Sequence, residues 1–336
     1  MVTTADVLPA CLPPETRFLE GGSLRCIHWK PTGVVHGLVL LAPGAQGGMG
    51  PWQNPSGDSR LANPTFLFSS AIPCIYNELA QQLAQAGFAV AHITWRLPPS
   101  RAGTPRSVLT SARSLLECAA DVATAARFLR VAHELDAQTP TLPLVLVGYC
   151  FGAAAASAAA ALALTGGKIT KAKPTTTALA AGGPKTHIFG ATTPASSCSL
   201  GGPLVGVVGL STAFRADDMK SRVGGNAYGG CDSTTCAETL ARSAVPLLMM
   251  HGLDDTVVDV DHAALFFEAA QGPKSLALLI GAGHTLSARS AAVVPTVLTW
   301  VRTLARRHAV TGVLTGQVRP PPEVENGVAF GRVITM

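Results

Sequence analysis

Charge is scarce in this sequence. Charged residues make up 13% of 336, against roughly 25% in a typical soluble domain. That excludes a highly charged disordered chain. Aromatic residues are few, at 5%. The net charge of +5 comes from scattered residues, with small groups at Lys168, Lys171 and Lys173 and at Arg306 and Arg307. Nucleic-acid binding wants a clustered basic footprint, so no nucleic-acid partner is expected. The eight cysteines, at 11, 26, 74, 118, 150, 198, 231 and 236, are too dilute for a disulfide scaffold. Cys231 and Cys236 are the one near pair, and without a second pair or a nearby histidine no metal site is expected. The N-terminus lacks the basic and apolar regions of a signal peptide. Asp6 and Glu15 argue against an acid-poor transit peptide. The expectation is a soluble, cytoplasmic protein.

Mean hydropathy is +0.33, which raises the question of a membrane span. The longest uncharged run lies between Asp136 and Lys168. A span needs about 20 apolar residues in one helix. Here Leu142 to Val147 is strand-like, and an Ala-rich, helix-like stretch begins after Gly152. The run divides in the middle, and no membrane span is expected.

The length fits one large or two small domains, and the pattern favours one. Strand and helix signals alternate from about residue 35 to 310. Short apolar strands are expected at Gly37–Ala42, Phe88–Thr94, Leu142–Val147, Leu204–Leu210, Pro246–Met250 and, last, Ser275–Ile280. Helical spacing links Ile75, Leu79, Leu83 and Ala86, closed by Gly87 as a C-terminal cap. Ser114 is placed to cap a helix carrying Leu115, Ala119, Val122, Ala126 and Leu129. Further helices are expected at Phe151–Leu164, from Asp261, as its cap, to Ala270, and at Val293–Leu304 with Pro295 in the first turn. Arg17–Glu20 and Leu24–Trp29 look like antiparallel edge strands. This alternation implies an α/β fold with a mostly parallel sheet covered by helices on both faces. The expected organisation is a single domain over 1–310 with an insertion at 168–202, a possible lid at 214–242, and a tail at 311–336 without an element of its own. Nothing in the pattern speaks to oligomeric state.

Between a strand and a helix stands Gly148-Tyr149-Cys150-Phe151-Gly152. It matches the nucleophile-elbow pattern G-x-S-x-G with cysteine in the nucleophile position. The sharp turn strains the central residue and demands small neighbours, which the two glycines supply. The elbow also sets the nucleophile at a helix N-terminus, where the dipole favours an anion. Downstream, His251-Gly252-Leu253-Asp254-Asp255 follows a strand, and Gly281-Ala282-Gly283-His284 follows the last one. Asp255 is the favoured acid, with Asp254 as the alternative. His284 is the base, and His251 is assigned a structural part. The chain order nucleophile, acid, base is that of this scaffold. Two backbone N–H groups must face the developing oxyanion. Phe151 supplies one, and Ala45, in the loop after the first parallel strand, is favoured over Gln46 for the other. That loop carries neither G-K-[ST] nor G-x-G-x-x-G, and no cofactor is expected. Arg96 and Tyr149 are candidates for substrate contact, with a surface ion pair as the alternative for Arg96.

On these motifs the chain resembles the α/β-hydrolases over roughly residues 20 to 310. Its Gly-Tyr-Cys-Phe-Gly elbow also resembles that of the dienelactone hydrolases, which use Cys, Asp and His. The resemblance implies cleavage of a small-molecule ester or lactone through a thioester. Pro43-Gly44-Ala45 resembles instead the oxyanion loop of serine-type esterases, with Pro for His. Two other readings stand beside it: a non-catalytic α/β-hydrolase scaffold serving as an interaction protein, and an acyltransferase.

Overall fold

The structure is a computed structural model. It describes residues 11–19, 24–44, 75–96, 115–133, 141–166, 199–213, 240, 243, 245–270, 272–315 and 331–335. Most of the expected insertion, most of the expected lid, Ser114 and Ala45 lie outside the described residues. Nine strands form one sheet: β1 (Glu15–Leu19), β2 (Leu24–Trp29), β3 (Gly37–Ala42), β4 (Phe88–Ile93), β5 (Leu144–Tyr149), β6 (Leu204–Leu210), β7 (Leu247–Gly252), β8 (Lys274–Leu279) and β9 (Gly331–Thr335). Their order across the sheet is β1-β2-β4-β3-β5-β6-β7-β8-β9. The β1–β2 and β2–β4 pairs are antiparallel, and every other pair is parallel.

The helices are α1 (Ile75–Gln85), α2 (Leu115–His133), α3 (Phe151–Leu164), α4 (Asp261–Ala269) and α5 (Ser290–Thr315). Alternate residues of each strand serve opposite faces. Leu38 and Leu40 of β3 join Leu146 in the core under α2 and α3. Val39 and Leu41 join Val145 and Val147 in the core under α1 and α5. Because both faces of the central strands are covered, β3, β4 and β7 are buried along their whole length. The described part of the uncharged run, residues 141–166, therefore sits in the middle of the fold. Eleven of the residues of α3 from Gly152 to Leu162 are buried, and their small side chains let the helix lie close on the sheet. Among the described residues no helix is long and apolar enough to cross a membrane.

Three expectations are corrected. The stretch Ser275–Ile280 is not the last strand: β9, from the expected featureless tail, pairs in parallel with β8 from Lys274–Gly331 to Leu278–Thr335. A five-residue strand beside an existing edge needs little periodicity of its own. The last helix is longer than expected and opens at Ser290, so Pro295 lies inside it. At the start of α4, Asp261 does not cap. The Asp259 carboxylate accepts from the Asp261 N–H at 3.0 Å, and the cap position is Val260.

Candidate active site

The C-terminal ends of β5, β6, β7 and β8 meet above the sheet. At the end of β5 the chain reverses into α3 through Cys150, which has φ 53° and ψ −118°. This backbone is unusual for a non-glycine residue. Two close approaches explain the flanking glycines. A Cβ on Gly148 would stand 2.3 Å from the Cα of Ala153, and one on Gly152 would stand 2.3 Å from the carbonyl oxygens of Ala42 and Pro43. The first turn of α3 is thereby pressed against the exit of β3. The Trp95 indole N–H donates to the Gly44 carbonyl at 2.8 Å and packs edge-on against Phe151 at 6.0 Å. Gly44 thus stands beside Tyr149 and Cys150, one residue before Ala45. Phe151 opens α3, so its N–H belongs to the helix's first turn.

The acid and the base come from adjacent strands. The turn after β7 lies on the loop after β8, because Gly252 has no Cβ, and one placed there would collide with the Ala282 carbonyl oxygen. The Leu253 N–H donates to Leu279 O, and the Asp254 N–H to Ala282 O, both at 3.0 Å. This lacing turns Asp254 outward, where it is exposed, and Asp255 inward, where its side chain is fully buried. Asp255 Oδ1 accepts the N–H groups of Val257 at 2.8 Å and Val258 at 2.9 Å. Its Oδ2 lies 2.8 Å from His284 Nδ1. Burial pushes the Asp255 carboxyl up. Hydrogen bonds from His251 and His284 more than reverse this and hold it well below the usual carboxylate range.

His284 reaches Asp255 with Nδ1, and the Cys150 thiol is a second polar neighbour, close enough to perturb it. Its side chain is 15% exposed. Burial alone would lower its pKa, but its interactions with Asp255 and Cys150 raise it to about 9. Tyr149, half-buried, stacks on it at 5.0 Å with the rings tilted by 49°. The structure therefore brings Cys150, Asp255, His284, Phe151 and Tyr149 together. Arg96 is turned elsewhere. Its Nε lies 2.6 Å from Asp121 Oδ1, its backbone N–H donates to Asp121 Oδ2 at 3.0 Å, and its Nη2 reaches Thr124 at 3.4 Å. Asp121 is a fully buried acid on α2, and Arg96 is its counter-ion.

Sequence reasoning missed two contacts. His251 Nε2 donates to the Val258 carbonyl at 2.9 Å and stands 3.2 Å from Asp255 Oδ2. Asp255 therefore has two histidines. Ser211, after β6, donates its hydroxyl to the His284 carbonyl at 2.8 Å. The i,i+4 spacing of His251 and Asp255 was visible in sequence. The Ser211 contact, spanning 73 positions, left no local trace.

No family model matches the sequence, and no curated protein matches it either. Solved structures do match. The esterase domain of a Rhodothermus marinus protein superposes with a TM-score of 0.53 at 17% identity, covering 87% of this chain and 98% of that one. A dienelactone hydrolase from Anabaena variabilis gives 0.50 at 16% identity, with the same coverage. Est1E from Butyrivibrio proteoclasticus gives 0.51 at 11% identity, covering 87% and 98%. The chain has the α/β-hydrolase fold. In α/β-hydrolase terms, Cys150, Asp255 and His284 stand after strands β5, β7 and β8, the three strand ends that meet at the site.

Proposed function

We propose that the protein hydrolyses a carboxylic ester or lactone through Cys150, His284 and Asp255, by way of a thioester. One observation carries this reading: His284 is bonded through Nδ1 to a buried carboxylate and neighbours a thiol held in a strained elbow. The bond at Nδ1 leaves Nε2 for the thiol, as a nucleophile–base pair requires. Asp255 fixes the tautomer and stabilises the imidazolium.

His284 Nε2 takes the proton of the Cys150 thiol, the resulting thiolate attacks the carbonyl carbon of the substrate, and the carbonyl electron pair moves onto oxygen. The oxyanion is met by the N–H groups of Phe151 and Ala45. A pair of such donors matters, because losing one typically costs about 3 to 4 kcal/mol of barrier. When the intermediate collapses, the alkoxide leaves with the Nε2 proton of His284. The neutral imidazole then takes a proton from water. The hydroxide attacks the thioester, the acid departs, and thiol and imidazole regain their starting forms. Tyr149 lines the approach to His284, and no cofactor enters the cycle.

The test is a panel of short acyl esters and lactones with Cys150→Ala and His284→Ala. Turnover in each variant is expected to fall to background, and wild-type enzyme quenched during turnover is expected to carry an acyl mass on Cys150. Undiminished turnover in both variants would overturn the mechanism.

A further inference from the structure

Among the described residues, three that are not glycine have positive φ: Cys150 at 53°, Ser211 at 48° and Leu286 at 57°. All three stand at the candidate active site. Cys150 is the elbow, and Leu286 follows His284 by two residues. Ser211 has no part in the mechanism above, yet it is fully buried and bonded to two separate segments, while the residue before it is bonded to a third. Its N–H donates to the Met250 carbonyl at 2.9 Å, at the end of β7. Its hydroxyl donates to the His284 carbonyl at 2.8 Å. The residue before it, Leu210, accepts the Cys150 N–H at 2.8 Å.

We propose that Ser211 is a positioning residue, and that the Leu210–Ser211 step sets the distance between thiol and imidazole by tying both to one point. This rests on the proposed hydrolase reading and adds a residue to it. The argument is geometric. Asp255 fixes the direction of the His284 ring through Nδ1, but a ring can rotate or slide with its main chain while keeping that bond. The Ser211 hydroxyl fixes the main chain itself. The same dipeptide fixes the main chain of Cys150. The nucleophile and the base come from loops 134 residues apart in sequence, and this step joins them through two bonds. The left-handed backbone at Ser211 is the distortion that such a double attachment maintains.

The experiment separates the hydroxyl from the backbone. Ser211→Ala removes the hydroxyl and keeps a Cβ on a left-handed residue. Ser211→Gly removes the hydroxyl and relieves the backbone. Expected results are a kcat about ten- to a hundredfold lower in both variants, with KM within about twofold of wild type. The melting temperature of Ser211→Gly is expected at or above that of Ser211→Ala. Iodoacetamide labelling of Cys150 across pH reads the thiol–imidazole pair without turnover, and its profile is expected to shift alike in both variants. Wild-type kcat and an unmoved labelling profile in Ser211→Gly would overturn the proposal, as would an activity loss that follows melting temperature alone. Failure of the underlying hydrolase reading looks different, because Cys150→Ala would then retain turnover whatever Ser211 does.

Discussion

Two buried histidine clusters in this molecule behave in opposite ways. At the C-terminal edge of the sheet, His284 is raised to about 9. On the antiparallel flank, His28 of β2 faces His133, the last residue of α2, with their Nε2 atoms 2.7 Å apart. Phe128 packs edge-on against His28 at 5.4 Å. His28 is lowered to about 4, by burial first and then by the neighbouring His133 charge. His133 is lowered by burial as well. Both clusters are withdrawn from water, so burial pushes each imidazole toward its neutral form. The difference is the partner. His284 meets a buried carboxylate at 2.8 Å, whereas His28 meets another imidazole, and one shared proton satisfies that pair. A buried acid turns a histidine into a proton reservoir, and its absence leaves a neutral packing group.

Asp255→Asn should break this contrast with the largest effect. The amide keeps the shape and loses the charge, and its N–H₂ group favours the wrong imidazole tautomer. The proposed esterase activity should fall about 10⁴-fold. His284 should then titrate lower than in the wild-type protein, because burial would be opposed by Cys150 alone. The check is the titration of the His284 imidazole followed by NMR, in which the wild-type inflection near pH 9 should move down. In the wild-type protein, His284 is raised above its unfolded value. Its contribution to stability is therefore complete below the ordinary imidazole pKa and is lost as pH rises through about 9. Asp255→Asn should remove that alkaline loss.

His251→Phe should sharpen the contrast with a smaller effect. It removes one donor from Asp255 and leaves the His284 bond intact. The Val257 and Val258 N–H groups still hold the carboxylate ionised near neutrality. Activity at pH 7 should fall by about ten- to a hundredfold, the scale of one lost hydrogen bond to a charged group. The acid limb of kcat/KM should move upward, because Asp255 becomes easier to protonate. A loss as large as that of Asp255→Asn would mean that the two histidines and the acid act as one unit.

The sequence made the elbow legible because its signal is local. Two glycines flank a cysteine where a β-branched run meets an alanine run, and all of this falls within a dozen residues. The α3 limits, the β6 limits and the antiparallel start were legible for the same reason. Asp255 was separable from Asp254 only by preference, and what separates them in the fold is the Gly252–Ala282 contact between two loops. Arg96 read better as a partner of another side chain than as a substrate contact, but nothing local announces that the partner is Asp121. That acid lies in a helix interior, 25 positions away, and its burial shows only when α2 packs. β9 was missed for a related reason. Its five residues gain their order from the edge of β8, and not from a pattern of their own.

The smallest expected effect lies on the flank, and it tests the comparison from the other side. His28 has a folded value of about 4, below its ordinary 6.5. The unfolded chain therefore binds a proton in a range where the folded chain does not. The contribution of His28 to stability is complete above about 6.5 and is lost as pH falls toward about 4. Lys30 and Arg17 reinforce the lowering, and Glu15, opposite His28 across β1 and β2, works against it. Glu15 is only partly buried, and Lys30 bonds it at 3.1 Å, so it does not do for His28 what Asp255 does for His284. Chemical unfolding between pH 7 and 4.5 should show a stability loss on the order of 2 kcal/mol from this pair. His28→Phe combined with His133→Leu should flatten that slope and leave the proposed esterase activity unchanged, since neither residue touches the candidate active site. An unchanged slope would show that burial without a carboxylate does not lower these imidazoles.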